Sequence, residues 1–328
     1  MKILKKIISL LLVLILLAVG GFWVYCSFIG RRSFMAGLTD LVLIIQHRSD
    51  KFTYTEKAEE YIREKAESNR EPVVIEKARF GVSLREEREE ALQAFIYNDQ
   101  DHPAQTVFYF HGGAYINQPN AQQTTMAART AKETGCEVVL MVYPKEPAYN
   151  CEDAYRMCTA FLLHYMEENE CGKTVFMGDS AGGGLALGLA ETLRDEAGGS
   201  LPKELILISP WVDLTMTNPE MKDYVQSDPM LGIEGLHRMG EVWAGSLPLE
   251  DPRVSPLFGD LSGLPPVTLT TGTREILYPD SVLLAQKLTE AGSECTILVG
   301  EGMIHCFPIC PIPEAKEAQT LIWNVITR

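Results

Sequence analysis

The sequence predicts an α/β fold: a mainly parallel central sheet flanked by helices, with a helical cap. Three observations carry the prediction. From Thr106 onward, short continuous apolar runs alternate with helix-period segments, the pattern of parallel strands buried under helices on both faces. A tight glycine-rich turn, Gly178 to Gly184, separates one such run from the helix after it. The interval 211–264 holds no obvious buried strand, so it reads as an insertion lying above the carboxyl ends of the strands as a lid.

The chain opens with Lys2, Lys5 and Lys6, then an uncharged apolar run from Ile7 to Gly30 that stops at Arg31-Arg32. A helix needs about 20 apolar residues to cross roughly 30 Å of hydrocarbon, so this run is long enough to span a bilayer. A cleaved signal peptide has a shorter apolar region and a small-residue cleavage site, whereas Phe22-Trp23-Val24-Tyr25 is bulky and aromatic; residues 1–32 are therefore expected to be an uncleaved membrane anchor. The lysines and the free amine favour a cytoplasmic N-terminus, which puts the rest of the chain outside. Residues 33–71 read as a helical cap or linker: an apolar patch from Leu38 to Ile45, then Glu56 to Arg70 with Ala58, Tyr61, Ile62 and Ala66 at helical spacing.

The main domain is expected over residues 72–328. It begins with short β-type runs at Val73-Val74-Ile75 and Ala94-Phe95-Ile96-Tyr97, the charged Arg85 to Glu90 between them reading as a solvated turn or hairpin tip. Thr106 to Phe110 reads as a buried strand, and further strands are expected at Glu137 to Tyr143, Thr174 to Met177, Leu205 to Ser209, Val267 to Thr271 and Cys295 to Val299. Helices are expected at Ala121 to Glu133, Cys151 to Glu168, Gly184 to Asp195, Asp280 to Ala291 and Pro313 to Ile326.

The length of 328 residues suits one large α/β domain with accessory segments. A formal net charge of −15, with no clustered Lys/Arg stripe beyond the N-terminus, argues against a nucleic-acid partner. Eight cysteines without paired Cys-x-x-Cys spacing argue against a zinc ribbon and give no disulfide framework. No metal and no organic cofactor is expected. Cys306 and Cys310, near the histidine discussed next, either pair or line a wall.

The turn Gly178-Asp179-Ser180-Ala181-Gly182 has the Gly-x-Ser-x-Gly spacing of a nucleophile elbow. A serine raised on a sharp turn between strand and helix needs glycines two residues to either side, because a side chain there would collide with the crossing segments. The helix behind it supplies an unpaired N–H, that of Ala181, to stabilise negative charge. After the Phe110 strand, His111-Gly112-Gly113-Ala114-Tyr115 offers the N–H groups of Gly112 and Gly113 as the other half of an oxyanion hole, with His111 bracing the loop. Serine needs a histidine to take its proton and an acid to orient that histidine. Of six histidines, only His305 follows the last strand on a loop. The acid belongs after the penultimate strand, where Glu275 and Asp280 both qualify by type. Asp280 follows a proline and opens a helix, so capping explains it, and Glu275 is the expected acid.

These stretches, with Ser209-Pro210-Trp211-Val212-Asp213, Ser255-Pro256-Leu257, Leu264-Pro265-Pro266 and Gly302-Met303-Ile304-His305, resemble the hormone-sensitive-lipase-like branch of α/β-hydrolase esterases over about residues 72 to 328. The resemblance implies an α/β-hydrolase fold, Ser180 as nucleophile, His305 as base, oxyanion N–H groups from Gly112, Gly113 and Ala181, and a cap that includes helices before the sheet. Two departures stand out. Glu275 occupies the place where the family most often has aspartate, and Pro144-Lys145-Glu146-Pro147-Ala148 stands where it tends to have Ala-Pro-Glu, which bears on the loop beside the oxyanion hole.

The reading is a membrane-anchored serine carboxylesterase acting on short- to medium-chain acyl esters, its acyl pocket shaped by Trp243 and its lid neighbours. The alternatives are a carbohydrate deacetylase or amidase using the same residues, and a non-catalytic binding module on the fold. The partners expected are a small-molecule ester and a membrane; the sequence does not give an oligomeric state.

Overall fold

The computed structural model describes residues 2–75, 81–169, 172–196 and 201–328. Helix α1 (Lys2–Val24) continues through a wider π-helical turn, Tyr25–Ile29, and Leu4–Ile29 is long and apolar enough to cross a membrane, with only Cys26 of that stretch buried in the protein. Helix α2 (Phe34–Ile45) is capped by Ser33, whose Oγ accepts from the Ala36 N–H. It is tied to the body of the protein at two points. The Ser33 hydroxyl donates to Glu314 at 2.9 Å, and Asp40 accepts from both Arg32 and Arg274. Its other face leaves Leu38, Leu41, Val42, Ile44 and Ile45 exposed.

Helices α3 (Asp50–Thr53) and α4 (Thr55–Ser68) complete the N-terminal part, and both pack on α8 (Ile233–Ala244) from the 211–264 interval. The approach is close enough to require glycine: a Cβ on Gly235 would stand 2.5 Å from the Phe52 backbone, and one on Gly232 equally near Thr53. Among the described residues the 211–264 interval contains helical turns and α8 but no strand, as its sequence suggests.

Eight strands form one sheet in the order β1-β2-β4-β3-β5-β6-β7-β8. They are β1 (Leu84–Glu89), β2 (Leu92–Tyr97), β3 (Gln105–Phe110), β4 (Glu137–Val142), β5 (Lys173–Asp179), β6 (Glu204–Ile208), β7 (Val267–Gly272) and β8 (Cys295–Gly300). β2 runs antiparallel to both β1 and β4, and β3 to β8 are mutually parallel. The crossovers carry α5 (Ala121–Thr134), α6 (Cys151–Glu168), α7 (Ala181–Glu196) and α9 (Tyr278–Glu290), and α10 (Ala315–Ile326) closes the chain. The central strands are apolar at nearly every position because both faces are covered: Phe108, Phe110 and Phe176 pack edge to face on one side, while Val107, Tyr109 and Met177 join Ala127 and Ile322 on the other.

Two expectations at the start of the domain are corrected. Arg85 to Glu90 is not a turn: residues 84–89 form the edge strand β1, and only Glu90-Ala91 turn the hairpin. An edge strand needs no apolar face, and Arg85 is held between Glu87 and Asp99, so charge and β structure coexist there. Among the described residues Val73-Val74-Ile75 pairs with no strand; Val73 is instead bound through its N–H and carbonyl to the side-chain amide of Gln93.

Candidate active site

Ser180 sits between β5 and α7 with φ +54°, a left-handed conformation that a serine adopts only when its surroundings enforce it. They do so here. Its N–H donates to Ile208 O at 2.9 Å, and its carbonyl accepts from Gly183 N at 2.9 Å and from Trp211 N at 2.9 Å. A Cβ on Gly178 would run into the Gly182 carbonyl, and one on Gly182 into the Phe110 carbonyl, the collisions that the Gly-x-Ser-x-Gly spacing anticipates.

Glu275 and His305 lie on the loops after β7 and β8 as expected, and the structure joins them. His305 Nδ1 bonds to Glu275 Oε2, while Oε1 accepts from Ser209 Oγ (2.7 Å), Thr271 Oγ1 (2.8 Å) and the Gly272 N–H (2.7 Å). Three donors on Oε1 and the imidazole on Oε2 hold the longer glutamate arm in one place. Burial disfavours a charged His305 ring, yet the charge and hydrogen bond of Glu275, helped by Asp228 and Asp179, raise its pKa above the ordinary value. Ser180, His305, Gly112, Gly113 and Ala114 border one cavity of about 350 Å³.

The glycine turn is held from below by Asp179. Its carboxylate accepts from Tyr109 Oη (2.7 Å), the Gly112 N–H (3.0 Å) and Gln123 Nε2 (2.8 Å), and burial still raises its pKa. That corrects one expectation: the Gly112 N–H is already engaged and does not face an open site. The N–H groups of Gly113, Ala114 and Ala181 make no hydrogen bond among the described residues. Gly112 is instead required for space, since a Cβ there would lie 2.9 Å from Ser180 Cβ. His111 braces the loop as anticipated, stacked on Tyr143 at 4.7 Å with Nδ1 on the Gly112 carbonyl, and burial with the nearby Lys145 charge lowers its pKa to about 3.

Two further corrections, and one choice between stated alternatives, concern side chains near the site. Asp280 does not cap α9. It lies in the first turn, buried, with Oδ1 accepting from Asn218 Nδ2 (2.7 Å), Oδ2 without a partner among the described residues, and its pKa raised to about 7 by burial. Trp243 does not border the cavity. It stacks behind it on Tyr115 at 4.0 Å, and the apolar wall is made by Phe52, Met230, Leu231, Leu236 and Ile309. Cys306 and Cys310 do not pair; the seven described cysteines are free, and Cys306 Sγ lies 3.3 Å from His305 Nε2.

Two positioning residues escaped the sequence reading. Ser209 donates to Glu275 and accepts from the Cys306 N–H, so it binds both loops at once. Asp228 accepts from the N–H groups of Ile276, Met230 and Leu231 and links the lid segment to the Glu275 loop; an acid set in the apolar run Asp228-Pro229-Met230-Leu231 was the available signal. Among the described residues no group of three or more His, Cys, Asp or Glu side chains is placed to hold a metal ion.

The sequence pattern of the family described as "alpha/beta hydrolase fold" matches residues 107–309. The chain belongs to the α/β-hydrolase family. An "Esterase" of Acinetobacter venetianus is 32% identical over 225 residues, covering 65% of this chain and 72% of its own. A Staphylococcus aureus crystal structure provisionally assigned as an esterase superposes with a TM-score of 0.80 at 29% identity, over 86% of this chain and 96% of that one. A "Hormone-Sensitive Lipase from a Metagenome Library" shares the fold, with a TM-score of 0.72 at 24% identity over 88% and 97% of the two chains. The expected resemblance is thus borne out at the level of family and fold, and this α/β-hydrolase has relatives named as ester hydrolases.

Proposed function

We propose that this α/β-hydrolase is a serine carboxylesterase cleaving short- to medium-chain acyl esters through an acyl-enzyme. The observation that carries the proposal is the strained Ser180 on a cavity shared with His305, whose Nδ1 is held by the buried Glu275 carboxylate. In this mechanism Ser180 Oγ attacks the ester carbonyl, His305 Nε2 takes its proton and passes it to the leaving alkoxide, and Glu275 stabilises the imidazolium. The oxyanion forms against the N–H of Ala181, at the amino end of α7, and that of Gly113. The neighbouring free N–H of Ala114 replaces that of Gly112 in this scheme. Water then repeats the sequence on the acyl-enzyme. A cavity of about 350 Å³, at the small end of ligand pockets, supports acyl groups of modest length.

The apolar Leu4–Ile29 helix supports a single-pass membrane anchor, and the lysines before it support a cytoplasmic N-terminus with the hydrolase outside. The direct test of the chemistry is labelling by a fluorophosphonate probe followed by peptide mapping. Stoichiometric modification of Ser180 is expected, and turnover of a neutral ester by an unlabelled Ser180→Ala protein would overturn the assignment.

A further inference from the structure

The chain carries 44 acidic and 29 basic residues, yet the charged side chains that its cap contributes to the cavity are all basic: Arg48, Lys51 and Lys65. The one carboxylate bordering the same space, Asp179, is turned to its three donors below the glycine turn. Lys51 and Lys65 both stand over one ring, with Nζ 3.9 Å and 5.2 Å from the Tyr61 centroid. The Tyr61 hydroxyl donates to Asn117 Oδ1, and Asn117 Nδ2 donates to Gly113 O at 2.9 Å, so the cations are mounted on the turn that borders Ser180. Among the described residues none of the three pairs with a carboxylate; Glu64 acts on Lys51 only at longer range. Cations crowded on an aromatic platform without counter-charge disfavour one another. Burial first, then the charges of Arg48 and Lys65, lower the Lys51 pKa to about 8.

We propose that the substrate is an anionic ester, one bearing a carboxylate or phosphate remote from the scissile bond, and that Arg48, Lys51 and Lys65 receive that group. The proposal rests on the serine-esterase reading of the cavity and deepens it. An incoming anion supplies the missing counter-charge; Arg48 is exposed, but Lys51 and Lys65 are half-buried, where screening is weaker than on the open surface. Because the contact is made to a part of the substrate that does not react, it strengthens ground-state and transition-state binding alike and acts on KM rather than kcat.

The test uses the full chain in uncharged detergent with ester pairs matched for length. On the acyl side these are p-nitrophenyl hexanoate and the mono-p-nitrophenyl ester of adipic acid; on the alcohol side, acetylglycerol and acetylglycerol phosphate. The anionic member of at least one pair is expected to have a kcat/KM roughly tenfold higher, carried by KM and shrinking in 0.5 M salt. That advantage is expected to collapse in a Lys51→Met, Arg48→Met double variant, to persist in Lys51→Arg, and in the native protein to fade above about pH 8 as Lys51 loses its proton. Mixed vesicles separate the two sources of such an anion: faster turnover of an ester lipid with a phosphoglycerol head than of its choline counterpart identifies a membrane lipid, and a preference confined to the soluble pairs identifies a free metabolite. If native protein hydrolyses both members equally while Ser180→Ala hydrolyses neither, the anionic substrate is overturned and the serine mechanism stands. If neutral-ester turnover survives Ser180→Ala, the mechanism beneath the proposal falls and the proposal with it.

Discussion

Cys306 Sγ lies 3.3 Å from His305 Nε2, the ring nitrogen opposite the one that Glu275 holds. Ser180 lines the same cavity as that base, so the site holds two potential nucleophiles. Both are buried and border the cavity, but their settings differ: Ser180 sits on a strained turn at a helix amino terminus, whereas the Cys306 thiol pKa is pushed well above the ordinary value, chiefly by desolvation. Ser180→Ala is expected to lower turnover of p-nitrophenyl acetate roughly a millionfold with the fold intact, and Cys306→Ala to change it only a few-fold. A reversed ranking in steady-state assays of the two variants would make the enzyme a thiol hydrolase.

Glu275 fixes the tautomer of His305 and raises its pKa, so its loss has two signatures. Glu275→Gln is expected to cost about 10⁴ in kcat at neutral pH. The base works only when neutral; its folded pKa is raised, so the acid limb of the kcat/KM profile of the native enzyme lies above pH 6.5 and moves downward in Glu275→Gln as the attracting charge is removed. A limb that stays in place would deny Glu275 this role.

Asp280 gives a stability prediction of opposite character. Its folded pKa is raised to about 7 from 3.8, so between those values the native state holds a proton that the unfolded state has lost, and stability falls as pH rises through that window. Asp280→Asn keeps a hydrogen-bonding side chain beside Asn218 and removes the charge. Thermal unfolding should show the variant more stable than the parent at pH 8, with the gap closing near pH 4, while esterase turnover changes little. Crippled turnover in Asp280→Asn beside a near-normal Glu275→Gln would transfer the acid's role to Asp280.

A full-length chain is expected to resist alkaline carbonate extraction from membranes, and a chain beginning near Ser33 to be released by it and remain active. The shortened protein keeps the exposed apolar face of α2, so it should still bind vesicles reversibly in a flotation assay. A mature N-terminus beyond Tyr25 in the purified full-length protein would show cleavage in place of anchoring.

Most of the sheet was legible because its strands are buried on both faces, and runs such as Thr106 to Phe110 or Leu205 to Ile208 have few alternatives to a central strand. β1 was not, because a strand at the margin answers to its neighbour's backbone and tolerates Arg-Glu-Glu-Arg along its length. At the candidate site, spacing and chain order put Ser180 on the turn after β5 and Glu275 and His305 on the loops after β7 and β8, since loop position in this topology is written in the order of the elements. The direction of an N–H is not written there: Gly112 and Gly113 are equivalent as letters, and only the placement of Asp179 separates them. Asp280 was misread for a related reason. Its position after Pro279 suits a cap, but the burial that withdraws it toward Asn218 is a property of the folded neighbourhood.

The short segment between Ile29 and α2 has almost no slack. Gly302 fits against the Gly30 carbonyl, Ser33 is bound to Glu314, and Arg32 shares Asp40 with Arg274, the residue before Glu275. Were α1 to lie in a bilayer, the hydrolase would be bolted to its support instead of swinging on a leash, and would hold a constant height and bearing over the lipid plane. So held, it would harvest esters by the strip of surface it patrols, and lengthening residues 30–33 with a flexible spacer would free its mouth to explore the bulk solution.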